Sequence, residues 1–275
     1  MAESIRSGET IRPLSVGNVV SASVQLYRNR IGEYFPLAAF AYLWLFVPVY
    51  GWAKFCMISG LISRLAFGEL ADQAETVPQA RAKVKGNLWR FLSIAFQIFW
   101  RFLGIYILGI ILLFIAGAFL GFVLSFISPV LTFIAVALLY IVFIFIIIRF
   151  FSRWFVAEVP LAVEPRITGT ESIKRSWALT EQSVGRLQLV AVIAFMITIP
   201  VTLLTGYLPL IVEFVLPDLA ASGAFNVISF LLSIAGGMLL LPFWQVIKAV
   251  IYYDLRSRQE GLDLELRDRP LTDEF

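Results

Sequence analysis

The segment from Leu131 to Phe151 constrains this chain more than any other feature. It reads LTFIAVALLYIVFIFIIIRFF and carries one charge, Arg149, close to its end. About 20 mainly apolar residues rising roughly 1.5 Å each cross a hydrocarbon layer of roughly 30 Å. No water-soluble architecture needs such a run. Composition agrees: 60% of the 275 residues are hydrophobic and 15% charged, against ~45–50% and about 25% in soluble domains. The fold class expected is therefore an all-α, polytopic integral membrane protein.

Other apolar runs lie at about 34–50, 52–68, 98–126, 187–206 and 226–252. Pro48-Val49-Tyr50-Gly51 marks either a tight turn between two short spans or a kink in one long helix. Ser128-Pro129 is a turn candidate, because proline disfavours helix at the residue before it. Residues 1–30 are polar, with Arg6, Arg12, Arg28 and Arg30, so no cleavable signal peptide is expected. The lone thiol, Cys56, cannot form an internal disulfide, and without histidine the usual zinc, haem and imidazole-base chemistries have no ligands. No cofactor, metal or nucleic acid is expected.

Three segments ahead of the apolar pairs resemble one another. SVGNVVSASVQLYRNRIGEYFPL from Ser15 slides without gaps onto TGTESIKRSWALTEQSVGRLQL from Thr168. The match sets Val20 on Ile173, Ser23 on Ser176, Leu26 on Leu179 and Gly32 on Gly185. TVPQARAKVKGNLWRFLSI from Thr76 fits with a short deletion, placing Arg90 on Arg186. Ser15, Thr76 and Thr168 are helix N-cap candidates, and Thr168 with Glu171 has capping-box spacing. Apolar residues recur at helical intervals behind each cap, which predicts amphipathic helices lying in the membrane interface.

The unit is then an interfacial helix plus a hydrophobic hairpin, repeated at about 15–68, 76–151 and 168–254. That gives about six transmembrane helices in one membrane domain over 14–259, between a flexible cytoplasmic N-terminus (1–13) and a polar cytoplasmic tail (260–275). Of the 22 basic residues, Lys54 alone falls on the far side of the spans, and the far loop 206–225 has only Glu213 and Asp218. By the positive-inside rule the repeat-bearing face is cytoplasmic, as are both termini.

Arg101 and Lys248 lie inside apolar runs, near the ends from which they can snorkel to headgroups. Asp254 ends the last run, where the helix dipole disfavours an anion, so it needs a partner. Arg149, Arg153 and Arg175 are distant candidates, and Arg258 at i+4 is the local one. Gly117 and Gly121 form a GxxxG pattern, and Gly236-Gly237 adds small residues in the last run, both suited to close packing within the chain. If the third interfacial helix folds back between hairpins, Arg149, Arg153, Lys174, Arg175, Arg256 and Arg258 converge, with Asp254, on a pocket for a phosphate headgroup or a partner protein.

Three stretches, LSVGNVVSASVQLYRNRIGEYFPL, RWFVAEVPLAVEPRITGTESIKRSWALT and YYDLRSRQEGLDLEL, resemble bacterial membrane proteins related to the membrane domain of glycerophosphoryl diester phosphodiesterases. The resemblance implies the fold and a place in the bacterial cytoplasmic membrane. In enzyme-linked members a separate soluble domain holds the activity, so the resemblance implies no phosphodiesterase chemistry here. The role expected is non-enzymatic: organising membrane lipids, anionic ones included, or partner membrane proteins at the cytoplasmic face. A small-solute or lipid transporter is the main alternative, and an intramembrane enzyme a more distant one.

Overall fold

The computed structural model describes residues 15–261, so the expectations for 1–13 and for most of the tail lie outside the described residues. Every regular element among them is a helix. In chain order these are α1 (Val16–Asn29), α2 (Ile31–Trp44), α3 (Tyr50–Leu70), α4 (Val77–Lys85), α5 (Leu88–Ser125), α6 (Pro129–Trp154), α7 (Glu158–Val163) and α8 (Gly169–Thr180). Then come α9 (Val184–Thr202), α10 (Leu208–Val215), α11 (Pro217–Ala220) and α12 (Gly223–Glu260). A π-helical turn, Leu203–Tyr207, joins α9 to α10 just after Pro200.

Four helical stretches are long and apolar enough to cross a membrane: Leu88–Ser125, Pro129–Val163, Val184–Val215 and Gly223–Glu260. Their large side chains point outward along most of their length; Phe114, Phe133 and Phe214 are 77%, 75% and 90% exposed. A surface of that kind is stable only against lipid. At 38 residues each, α5 and α12 are ~57 Å long, well beyond a hydrocarbon layer. Their surplus turns bury Phe91 and Ile94 at one end of α5 and Phe243 to Leu255 on α12. The four stretches thus share one packed base, to which α1, α3, α4, α7 and α8 also contribute core residues.

At the centre of the base stands α3, in contact with α2, α4, α5, α7 and α12. Its composition explains why it is wrapped by protein rather than lipid. Gly51, Ala53, Ser59, Gly60, Ser63, Ala66 and Gly68 are all buried, and small residues let neighbouring backbones approach where leucine or phenylalanine would hold them apart. The Phe91 ring occupies the space where a Cβ on Gly60 would stand, 2.3 Å from that position. Ser63 hands its hydroxyl proton to Gln245 Oε1 at 2.9 Å, satisfying two buried polar groups between α3 and α12.

Between 34 and 68 the chain forms two helices, not one kinked helix. It turns back after Leu45 through Val49, a β-branched residue at φ 60, a conformation costing of order 1–3 kcal/mol. The α5–α6 hairpin turns at the expected place, with Pro129 opening α6, and is packed through Gly109 against Phe143 and Phe102 against Phe151. Gly117 and Gly121 have nothing within 4 Å of an added Cβ. The expected packing role of that GxxxG is therefore corrected: the close approaches fall at Gly109, Gly236 and Gly237, the last beneath Tyr42.

Each short amphipathic helix begins at the expected cap. Ser15 Oγ accepts from the Asn18 amide at 3.1 Å, Gln79 Oε1 accepts from the Thr76 amide at 3.0 Å, and Thr168 with Glu171 forms a capping box. The aligned pairs Val20/Ile173, Ser23/Ser176 and Leu26/Leu179 are all buried. The environment differs from the expected open interface, however. Helix α1 packs along α9 and α12, with Val19 near Ile251 and Asp254, and with Tyr27 donating to the Leu239 carbonyl at 3.0 Å.

Candidate lipid-facing site

The base is laced by ion pairs in which carboxylates and guanidinium groups neutralise each other. Arg64 on α3 forks onto Glu75 at 2.7 and 2.8 Å while also donating to the Ala162 carbonyl at 2.6 Å. Lys83 reaches the same Glu75 at 2.6 Å. These bonds join α3, α4 and α7, and the Arg64 hydrogen bonds, reinforced by Lys83, hold the Glu75 carboxyl at about 2 instead of 4.5. A carboxylate depressed by folding stabilises the fold above its unfolded pKa and loses that contribution as pH falls through the folded one. Stability is therefore expected to drop by about 2 kcal/mol between pH 4.5 and pH 2 through this group, allowing for solvent screening. Acid titration of thermal unfolding checks this: Glu75→Gln should be less stable at neutral pH and flatter across that window.

The six cations expected to converge with Asp254 have several different partners. Arg153 donates to the Trp177 carbonyl at 2.8 Å and stacks its guanidinium 3.9 Å from the Trp177 ring centre. Arg175 bridges Glu164 at 3.1 Å and Glu260 at 2.7 Å, and Arg256 joins Glu260 at 2.9 Å. Tyr252 donates a short hydrogen bond to Glu164, closing that cluster. Arg258 contacts Asp254 at 3.1 Å. Arg149 and Lys174 are exposed. Glu164 and Glu260 gather Arg175 and Arg256 into one cluster, while Arg258 pairs with Asp254 and Arg153 with Trp177.

Asp254, only 5% exposed, has the local partner Arg258 and, at 3.0 Å, Arg186 on α9; Arg149, Arg153 and Arg175 have other contacts or lie exposed. Arg186 was visible in the sequence only as the residue aligned with Arg90. Glu158 and Glu164 carried a clearer signal: two carboxylates in the apolar stretch FVAEVPLAVEP, where an ionisable group needs a partner.

Lys248 does not snorkel. Its ammonium lies 2.6 Å from Glu158 Oε1 and 5.6 Å from the Phe155 ring centre. The pair borders a cavity of about 400 Å³ whose wall is otherwise almost wholly apolar, including Ile94, Ile98, Trp154 and Trp244. That volume lies within the ~300–1,000 Å³ of small-molecule sites, which combine apolar walls with a few polar groups. Among the described residues no group of three or more Cys, Asp or Glu side chains is placed to hold a metal ion. No protein-family model, curated protein or solved structure matches the chain.

Proposed function

We propose that this protein is a non-enzymatic membrane protein that gathers anionic lipid at the cytoplasmic face of a bacterial cytoplasmic membrane. The observation that carries this reading is the use of charge in the base. Glu75, Glu158, Glu164, Asp254 and Glu260 are tied into internal ion pairs, while Arg28, Arg81, Lys85, Arg149 and Lys174 are exposed. A face on which these five carboxylates are already paired while the five cations stand outward, next to an apolar girdle, attracts anionic headgroups, each cation contributing about 1 kcal/mol.

In this reading the chain is three hairpins inserted from one face, each led by a capped amphipathic helix. The order α1–α2–α3, α4–α5–α6 and α8–α9/α10–α12 supports it. The first pair is shorter than the other two: α2, at 14 residues, spans ~21 Å, less than a hydrocarbon layer. Reporters inserted at 72–74 and at 218–221 are expected on opposite faces, the former cytoplasmic; the same face for both would overturn the arrangement. Arg149→Gln with Lys174→Gln is expected to lower retention of phosphoglycerol lipid several-fold in native mass spectrometry. Undiminished retention would remove these two cations, and the reading with them.

A further inference from the structure

We propose that the cavity beside Lys248 and Glu158 holds one zwitterionic phospholipid, whose phosphate meets Lys248 and whose primary ammonium meets Glu158. Depth is the first argument. The cavity lies where α5 begins, α6 ends and the apolar part of α12 gives way to the base, between Ile94, Trp154 and Trp244. Tryptophan at the end of an apolar span marks the headgroup level. The inference rests on the reading above only in taking this end of the spans to lie at a headgroup layer; it makes no use of Arg149 or Lys174.

Access is the second argument. Two members of the wall, Ala95 and Phe151, are exposed on the outer surface of α5 and α6. The cavity therefore opens sideways onto the same apolar face that the acyl chains cover, so a lipid can enter from the leaflet without crossing water.

Charge is the third. A purely anionic headgroup would meet Lys248 but also the repelling Glu158 carboxylate 2.6 Å away. Both side chains keep about a fifth of their surface accessible, 20% and 21%. A phosphate and an ammonium joined by two carbons can lie antiparallel to this pair, each charge beside its opposite, and the original bridge remains. A trimethylated ammonium lacks the N–H donors that Glu158 would accept from, which favours the primary amine.

The test is native mass spectrometry of the full chain released from nanodiscs of equal phosphoethanolamine, phosphocholine and phosphoglycerol lipid with identical tails. The wild type is expected to keep one phosphoethanolamine lipid with about tenfold preference over phosphocholine, the ratio for one charge-assisted hydrogen bond. Glu158→Gln should abolish that preference and shift retention to phosphoglycerol, whereas Arg149→Gln with Lys174→Gln should leave the phosphoethanolamine lipid in place. Ala95→Trp, which adds bulk at the exposed rim, should remove one bound lipid without lowering the unfolding midpoint. Equal retention of the three headgroups by the wild type, or a preference untouched by Glu158→Gln, would overturn the proposal. Glu158→Gln decides the matter independently should Ala95→Trp fail to fold.

Discussion

Gly51→Ala is expected to destabilise the protein by about 3 kcal/mol, at the upper end for overpacking a close contact. A Cβ built on Gly51 would stand 1.8 Å from the Trp44 carbonyl oxygen and 3.0 Å from Val47 Cβ. Backbone cannot swing aside as a flexible side chain can, and Val49 already holds a positive φ in this turn. The added methyl must therefore pry apart α2 and the start of α3, the helix on which the base is built. Thermal unfolding in one detergent, compared with Gly32→Ala, checks the claim. Gly32 has nothing within 4 Å of its added Cβ, so that variant should unfold near the wild-type temperature. Equal midpoints for the two alanine variants would show that the turn relaxes without cost.

The second large effect is expected at Asp254. Its side chain is 7% exposed and lies between Arg186 of α9 and Arg258 of its own helix. Asp254→Leu removes the anion but leaves Arg186 in a small site also lined by Val19 and Leu187, with Arg258 one turn along the helix. Breaking a buried pair from one side costs ~3–5 kcal/mol because a charge is left uncompensated. Here about 3 kcal/mol is expected, since Arg186 and Arg258 keep 22% and 29% of their side-chain surface accessible. Adding Arg186→Met should recover part of the loss, because it removes one of the two guanidinium groups that face position 254. A double variant no more stable than Asp254→Leu alone would show that the ion pair is not what joins α9 to α12.

Several features are legible in the sequence alone because they depend on residues close together in the chain. Membrane insertion follows from the unbroken apolar length of runs such as Leu131–Phe151, whatever they pack against. The caps at Ser15, Thr76 and Thr168 depend on a side chain meeting an amide three residues on, and the turn at Ser128-Pro129 on a single ring. Arg258 as a partner of Asp254 was legible for the same reason, being one helical turn away.

Tertiary structure alone decided the rest, through contacts between residues up to 212 positions apart. Whether α3 faces lipid or protein depends on five neighbouring helices; its small residues permitted close packing without naming a partner. The amphipathic stripe of α1 looks the same whether it meets headgroups or the flank of α12, and tertiary contacts such as the Tyr27 bond to Leu239 distinguish them. Lys248 could snorkel by its position near a span end, but Glu158, 90 residues away, outcompetes water for it. The cations sorted for a similar reason: Arg175 and Arg256 meet at Glu260 while Arg153 meets Trp177, and spatial nearness across four long helices is not written in any local spacing.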